Sequence, residues 1–161
     1  MKTKQEMFDS LISEKLGMLR AAAFRLLGNA ADVDEAVQDA LLTAWTRFGQ
    51  YNGKSEFSSW VYTITVNLCC DKLRKQKREK EKLAAYAEEK GNGQQDDEQL
   101  DRLSEAVAEL PELYRDAILI GVLSDFSSDK AAEMLGCSVN TLYQRIHRAK
   151  QLLKVQMGVS A

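Results

Sequence analysis

The chain has 161 residues, of which 45% are hydrophobic and 29% charged, and its formal net charge at pH 7 is -2. This length allows one domain or two small ones, each with a modest core. Because phosphate attraction supplies most non-specific DNA affinity, a chain with this overall charge should bind duplex DNA weakly when it is alone.

The sequence contains few of the groups that catalysis, metal binding or membrane insertion require. Two of the three cysteines, Cys69 and Cys70, are adjacent, which suits neither a disulfide framework nor a zinc site. A single histidine, His147, and the lack of a phosphate-binding glycine loop argue against an enzyme. Without an apolar run of membrane-spanning length or a signal-peptide core, we expect a cytoplasmic protein with no metal and no cofactor.

Helical periodicity dominates the sequence and predicts an all-α fold. Gly28 and Asn29 should end the first helix, and Asp32 followed by Glu35 resembles a capping box that starts the second. In chain order, the predicted helices cover residues 6–27, 32–48, 57 to beyond 78, 100–109, 111–123 and two short helices within 126–153.

The charge distribution divides the chain into two parts. Residues 71–82 contain seven Lys or Arg and three acids, whereas residues 88–105 contain seven acids and two bases. Most of the acidic stretch has no large apolar residue to bury. We therefore predict two small helical domains, 1–82 and 101–161, joined by a flexible acidic linker over 83–100.

Residues 126–153 have the pattern of a helix-turn-helix motif. Gly136 can form the turn, Ala132 is small enough to let the two helices approach, and Ser138 can cap the second helix. Apolar residues of the second helix recur at intervals of four, three and four, which predicts one buried stripe. This stripe consists of Leu142, Ile146, Ala149 and Leu153.

The opposite face of the second helix is polar and basic, which suits insertion into the major groove of DNA. A solvated surface helix would have the same composition, but the preceding turn favours DNA binding. The predicted DNA-binding residues on this face are Asn140, Thr141, Tyr143, Gln144, Arg145 and Arg148.

Four segments carry a family resemblance by their order and separation. They are DVDEAVQDALLTAWTRF at 32–48, FSSWVYTITVNLCCDKLR at 57–74, LPELYRDAI at 110–118, and the motif at 132–153. Together they resemble the extracytoplasmic-function (ECF) group of bacterial sigma factors over nearly the whole chain. The resemblance implies a protein that binds core RNA polymerase and directs promoter recognition, melting and transcription initiation. It also implies an anti-sigma factor, which in relatives usually lies between the two domains.

The same resemblance implies a docking surface for polymerase on the second helix. In relatives, acids and a glutamine on this helix dock on the clamp helices of the largest polymerase subunit. Spacing alone would favour a solvated helix face, and the resemblance reverses that preference. The residues at these positions are Asp34, Glu35, Gln38 and Asp39.

A further set of residues is implied to bind the melted promoter. A loop would capture a flipped base by stacking and hydrogen bonding, and a long basic helix would contact the DNA backbone. Trp60 could also stack on a base, but a place in the core explains it better. The set comprises Tyr51, Asn52, Lys54 and Ser55 in the loop, and Asn67, Lys72, Arg74, Lys75 and Arg78 in the helix.

Three residues depart from the pattern that is common in the family. Lys130 and Ala131 replace an acid and a large aliphatic residue, which removes a capping partner and some core volume. Tyr143 stands where relatives often carry lysine, so the promoter sequence should differ from the usual one or be bound more weakly.

Two other functions are compatible with parts of the sequence. An autonomous helix-turn-helix regulator would bind duplex DNA without polymerase, but it would need an effector pocket or a dimer seam, and no heptads or converging polar groups indicate one. A sigma-like docking or regulatory protein with weakened promoter binding would fit the three departures at Lys130, Ala131 and Tyr143.

Overall fold

The structure is a computed structural model that describes residues 1–51, 53, 56–86 and 95–158, with no side-chain description for 95–101. Within these ranges the regular structure is entirely helical, which confirms the all-α prediction. The elements are α1 (Lys4–Leu27), α2 (Ala30–Arg47), a 3-10 turn (Phe48–Gln50), α3 (Phe57–Tyr86), α4 (Gln95–Glu109), α5 (Glu112–Gly121), α6 (Ser128–Leu135) and α7 (Val139–Gln156).

The chain divides into two compact units, Met1–Cys69 and Cys70–Ala161. The division falls inside α3, before the domain boundary expected at residue 82, because the second half of α3 contacts α4. Helix also covers both ends of the expected linker 83–100, since α3 continues to Tyr86 and α4 begins at Gln95. Polar composition alone does not distinguish an exposed helix from a coil. The rest of the linker prediction, residues 87–94, lies outside the described residues.

The core of the first unit is an aromatic cluster that joins its helices. The ring centroid of Phe8 lies 5.2 Å from that of Trp45 and 5.2 Å from that of Phe48, both with edge-to-face geometry. Phe57, at the start of α3, is 6.1 Å from Phe8. Such rings are the largest source of apolar burial per residue, so they fix the position of the segment that follows α2.

The ends of α1 and α2 are set by local hydrogen bonds. Thr3 and Glu6 form a capping box at the start of α1, and Gly28 ends α1 with φ 79°, as predicted. The capping box predicted at Asp32 and Glu35 is wrong. The Asn29 side chain caps α2 instead by accepting a hydrogen bond of 2.9 Å from the Asp32 amide.

In the second unit, α7 packs closely against α5. Leu119 and Leu142 are completely buried, and a Cβ atom at Gly121 would lie 3.0 Å from Cδ1 of Ile146 and 3.1 Å from Cδ1 of Leu142. The missing side chain of Gly121 therefore allows the close approach of α7. Among the described helices, none has both the length and the apolar character needed to cross a bilayer.

Candidate nucleic-acid interface

The turn between α6 and α7 has the geometry that the sequence predicts. Gly136 adopts the left-handed conformation with φ 69°, where a side chain would be strained. The amide of Cys137 donates to the carbonyl of Ala132 over 3.0 Å, which closes the end of α6. Ser138 caps α7, because its hydroxyl accepts a 3.1 Å hydrogen bond from the amide of Thr141. A three-residue turn with both helix ends capped fixes the orientation of α7.

The predicted DNA-binding residues lie on the outward side of α7. The apolar stripe packs inward, with Leu142, Ala149 and Leu153 buried, which leaves the polar face toward solvent. No acidic residue occurs in α7, so this face carries only positive or neutral groups. Asn140, Tyr143, Gln144 and Arg148 are exposed, while Thr141 and Arg145 are half-buried.

Two of the departures from the family pattern lie at the start of α6. Ser127 caps this helix by accepting a 3.1 Å hydrogen bond from the Lys130 amide. A complete capping box would need an acidic or amide side chain at Lys130, and a lysine cannot supply it. Ala131 is fully buried, so a small side chain fills its place in the core.

The third departure, Tyr143, contacts α6. Its side chain is 53% exposed, and its hydroxyl donates a 3.1 Å hydrogen bond to Oγ of Ser128. The phenol is therefore oriented by the neighbouring helix. Ser128 has no obvious role in the sequence, because only the folded motif brings it beside Tyr143.

The four residues assigned to the polymerase surface share one face of α2. Val33, Val37 and Ala40 are buried, whereas the assigned residues are exposed on the other side. Asp34 also forms a salt bridge to Arg20 of α1, with 2.7 Å between Oδ1 and Nη1. Part of its charge is thus compensated within the chain. The exposed residues are Asp34, Glu35, Gln38 and Asp39.

In the loop assigned to the melted promoter, the structure describes only Tyr51 of the four predicted residues. Asn52, Lys54 and Ser55 lie outside the described residues. The Tyr51 ring is half-buried and lies 5.1 Å from Trp60 and 5.8 Å from Phe57 between ring centroids. Tyr51 is therefore part of the aromatic cluster of the first unit. Trp60 packs against the same cluster while half-buried, which agrees with the core assignment.

The α3 residues assigned to the melted promoter do not share one environment. Asn67, Lys75 and Arg78 are exposed, and Lys72 is half-buried. Arg74 instead faces α4, where its guanidinium donates a 2.7 Å hydrogen bond to the carbonyl of Ala108 and pairs with Asp71. The Ala108 carbonyl is in the last turn of α4, where carbonyls lack helical partners, so Arg74 stabilises the end of that helix.

Two further lysines continue this contact between α3 and α4. Lys77 Nζ lies 2.7 Å from Glu109 Oε2, and Lys80 Nζ lies 3.0 Å from Glu105 Oε1. The hydrogen bond to Glu109 raises the pKa of Lys77. The sequence prediction missed both lysines, because the partner carboxylates are distant in the sequence. We call this set of contacts, from Arg74, Lys77 and Lys80 to α4, the α3–α4 ladder.

The thiol of Cys70 is buried one helical turn before Arg74, the first residue of the α3–α4 ladder. Burial raises the pKa of Cys70 from 9.0 to about 11, partly opposed by the positive charges of Arg115 and Arg74. The thiol is therefore protonated at neutral pH and behaves as a small apolar group. Cys69 is also buried and Cys137 is half-buried, and all three cysteines are free.

The two capped helices α6 and α7 and the absence of acidic residues from α7 define a helix-turn-helix protein. Residues 11–79 match the family described as Sigma-70 region 2, and residues 100–153 match Sigma-70, region 4. The chain is 33% identical over 144 residues to the ECF RNA polymerase sigma factor EcfG of Rhodopseudomonas palustris, covering 88% of this chain and 80% of that protein. This protein therefore belongs to the ECF sigma factors of the sigma-70 family.

Two other relatives agree with this assignment. The RNA polymerase sigma factor SigV of Bacillus subtilis is 30% identical over 135 residues, with 84% of this chain and 81% of SigV covered. The sigma factor RpoE from Bartonella quintana, solved in complex with the anti-sigma factor NepR, matches with a TM-score of 0.57 and 28% identity. That match covers 96% of this chain and 98% of RpoE.

Proposed function

We propose that this protein binds core RNA polymerase and directs the recognition and melting of promoters, without catalytic activity of its own. The observation that carries the proposal is α7, a capped helix without acidic residues and with an outward polar face. Arginine pairs with guanine edges, and asparagine and glutamine pair with adenine edges, in the major groove. We place α7 in the major groove of the upstream promoter element, with Asn140, Thr141, Tyr143, Gln144, Arg145 and Arg148 toward the bases.

We assign the exposed acidic face of α2 to core polymerase. Carboxylates and an amide at helical spacing form a patch that complements a basic partner and steers its approach. We assign the melted promoter to the loop at 50–56 and to the exposed side of α3. The proposed ligands there are Tyr51, Asn52, Lys54, Ser55, Asn67, Lys72, Lys75 and Arg78, with Arg74 available only when it leaves α4.

The overall charge explains why polymerase is part of the proposal. At a net charge of -2, the chain has little general attraction for phosphate, so a partner must hold it on DNA. Such a function takes place in the bacterial cytoplasm. By analogy with the RpoE complex, we also propose an anti-sigma factor as a partner.

Core pull-down followed by run-off transcription on a genomic fragment library tests this function. We expect the chain to bind core polymerase and to start transcription at discrete sites. A variant that lacks Arg145 and Arg148 should still bind core but lose those start sites. The proposal fails if the chain neither binds core nor directs initiation while a related sigma factor does both under the same conditions.

One observation favours a second function, that of a sigma-like docking protein with weakened promoter binding. Arg74 and Tyr51, both assigned to the melted promoter, already make contacts within the chain. Core binding without initiation on any fragment would support this second function. Tight sequence-specific binding to duplex DNA without polymerase would instead identify an autonomous regulator.

A further inference from the structure

The α3–α4 ladder places oxygen acceptors of α4 on three cations of α3 that lie about one helical turn apart: a carbonyl on Arg74 and carboxylates on Lys77 and Lys80. Arg74, Lys77 and Lys80 follow each other at intervals of three residues, so they occupy one side of α3. The partners of the two lysines run in the opposite direction along α4, because Lys77 pairs with Glu109 and Lys80 pairs with Glu105. The positive side chains therefore form a row along α3, and oxygen acceptors of α4 cover this row.

A row of cations at this spacing is also what a nucleic-acid backbone binds. Phosphate oxygens accept charge-assisted hydrogen bonds from lysine and arginine as carboxylates do. The same helix carries Lys75 and Arg78, which are exposed on its other sides. The basic part of α3 is therefore divided into an open group and a group that α4 covers.

We propose that Lys77 and Lys80 are additional ligands for the promoter backbone, and that α4 occupies them in the free chain as an internal competitor. The inference rests on the function proposed above. Pairs between exposed charges are individually weak in water and are weakened further by salt. The Lys77 and Glu109 side chains are 28% and 34% exposed and those of Lys80 and Glu105 are 61% and 13% exposed, so solvent and salt reach each pair from at least one side.

When α4 separates from α3, each side chain of the α3–α4 ladder changes its partner. The two lysines exchange carboxylate oxygens for phosphate oxygens, and Arg74 leaves the Ala108 carbonyl. The acidic side of α4 is then released next to DNA, where it repels the backbone unless it moves away. DNA binding by Lys77 and Lys80 and the closed position of α4 therefore exclude each other, whereas Lys75 and Arg78 stay open in both cases.

Binding of the full-length chain to a fluorescent single-stranded DNA oligonucleotide at low salt tests this inference. The double variant Glu105→Gln, Glu109→Gln opens the ladder and keeps the cations, and it should bind about threefold to tenfold more tightly. Adding Lys77→Gln and Lys80→Gln should abolish the gain. It should also reduce the dependence of log K on log salt concentration by roughly 1.4 for two lost phosphate contacts.

The control variant Asp9→Asn, Glu14→Gln makes the same change in net charge on α1, where both residues are exposed. An equal gain in this control, or a gain that survives loss of both lysines, overturns the inference. Circular dichroism checks that the variants remain helical, and Glu109→Gln alone repeats the test if the double variant does not. A chain that initiates transcription with core polymerase but shows no effect of these variants retains the proposed function and loses only the ladder inference.

Discussion

The hydroxyl of Tyr143 donates a hydrogen bond to the hydroxyl of Ser128 across the helix-turn-helix, over 3.1 Å. This contact holds the phenol hydroxyl toward α6 and uses one of the hydrogen bonds that it can form. A hydroxyl both donates and accepts, so the phenol keeps capacity for a base edge in the major groove, in an orientation that Ser128 sets. Ser128 is in this sense a positioning residue for Tyr143.

Replacing Ser128 should alter promoter choice without removing a DNA contact. In Ser128→Ala, the phenol can turn and donate to a base, which should change discrimination at one upstream position by about 1 kcal/mol. Run-off competition among promoters that differ at each upstream position measures the effect. Ser127→Ala is the matched control, because it removes the cap of α6 but leaves the phenol in place. Identical promoter preferences in Ser128→Ala and the unmodified chain would contradict this role.

Arg145 should contribute to sequence discrimination. The substitution Arg145→Ala should cost about 1–3 kcal/mol at one upstream base pair if the guanidinium contacts a base edge. The same promoter competition provides the measurement, with exposed Lys154 in the last turn of α7 as the control substitution. A loss of equal size on every promoter would assign Arg145 to phosphate instead.

The cap of α7 should contribute measurably to the stability of the motif. Ser138→Ala removes the acceptor for the Thr141 amide and should destabilise the second unit by about 1 kcal/mol, whereas Ser138→Asp should retain most of the stability. Hydrogen exchange of α7 amides measures this change without assuming that both units unfold together. Ser13→Ala on the exposed face of α1 is the control, and equal exchange rates in α7 for the two alanine variants would refute the expectation.

The buried thiol of Cys70 should make stability depend on alkaline pH. Its pKa is raised from 9.0 to about 11, so the unfolded thiol ionises first as the pH increases. Folding stability should thus be unaffected by this group below pH 9 and fall between pH 9 and about 11, by up to roughly 2–3 kcal/mol.

Urea unfolding of the chain and of Cys70→Ala across this pH range isolates the thiol from other titrating groups. The variant should be less stable at neutral pH because of the small cavity, but its stability should fall less steeply as the pH increases. Parallel stability curves for the two proteins would exclude a role for Cys70 in the pH dependence.

The acidic residues of α2 should not contribute equally to polymerase binding. Asp39→Asn should lower core affinity severalfold, whereas Asp34→Asn should have a smaller effect because Arg20 already compensates its charge. Titration of core polymerase with labelled protein measures both affinities. In the background of Arg20→Gln, the cost of Asp34→Asn should increase, and an unchanged cost would show that the salt bridge has no influence on docking.

Local sequence signals predicted the helix-turn-helix well. The conformation of Gly136 and the cap at Ser138 depend on groups within a few residues, so a short window of sequence contains the necessary information. The start of α2 was less predictable, because Asn29 and Asp32 are both good capping residues. Gly28 ends α1 in the left-handed conformation, and the next residue, Asn29, is the N-cap of α2, which begins at Ala30.

Features that depend on distant contacts could not be predicted in the same way. Arg74 and Lys77 belong to a basic run that fits DNA binding, but their contacts with Ala108 and Glu109 come from the packing of α3 on α4. Tyr51 likewise resembles an exposed loop residue until Phe57 and Trp60 are placed beside it. Charge and composition indicate which groups can bind a partner, and tertiary packing decides which of them are available.

The burial of Ala131 affects how chimeric sigma factors could be built from this protein. The α6 segment of a relative with a large aliphatic side chain at this position could not be transplanted alone. Ala131 is fully buried, so the larger side chain would overpack the core of this protein. A transplanted segment should therefore include α5, α6 and α7 together, so that each donor core retains its own shape. Engineers who wish to redirect the protein to new promoters would do better to change outward side chains of α7 than to exchange single helices.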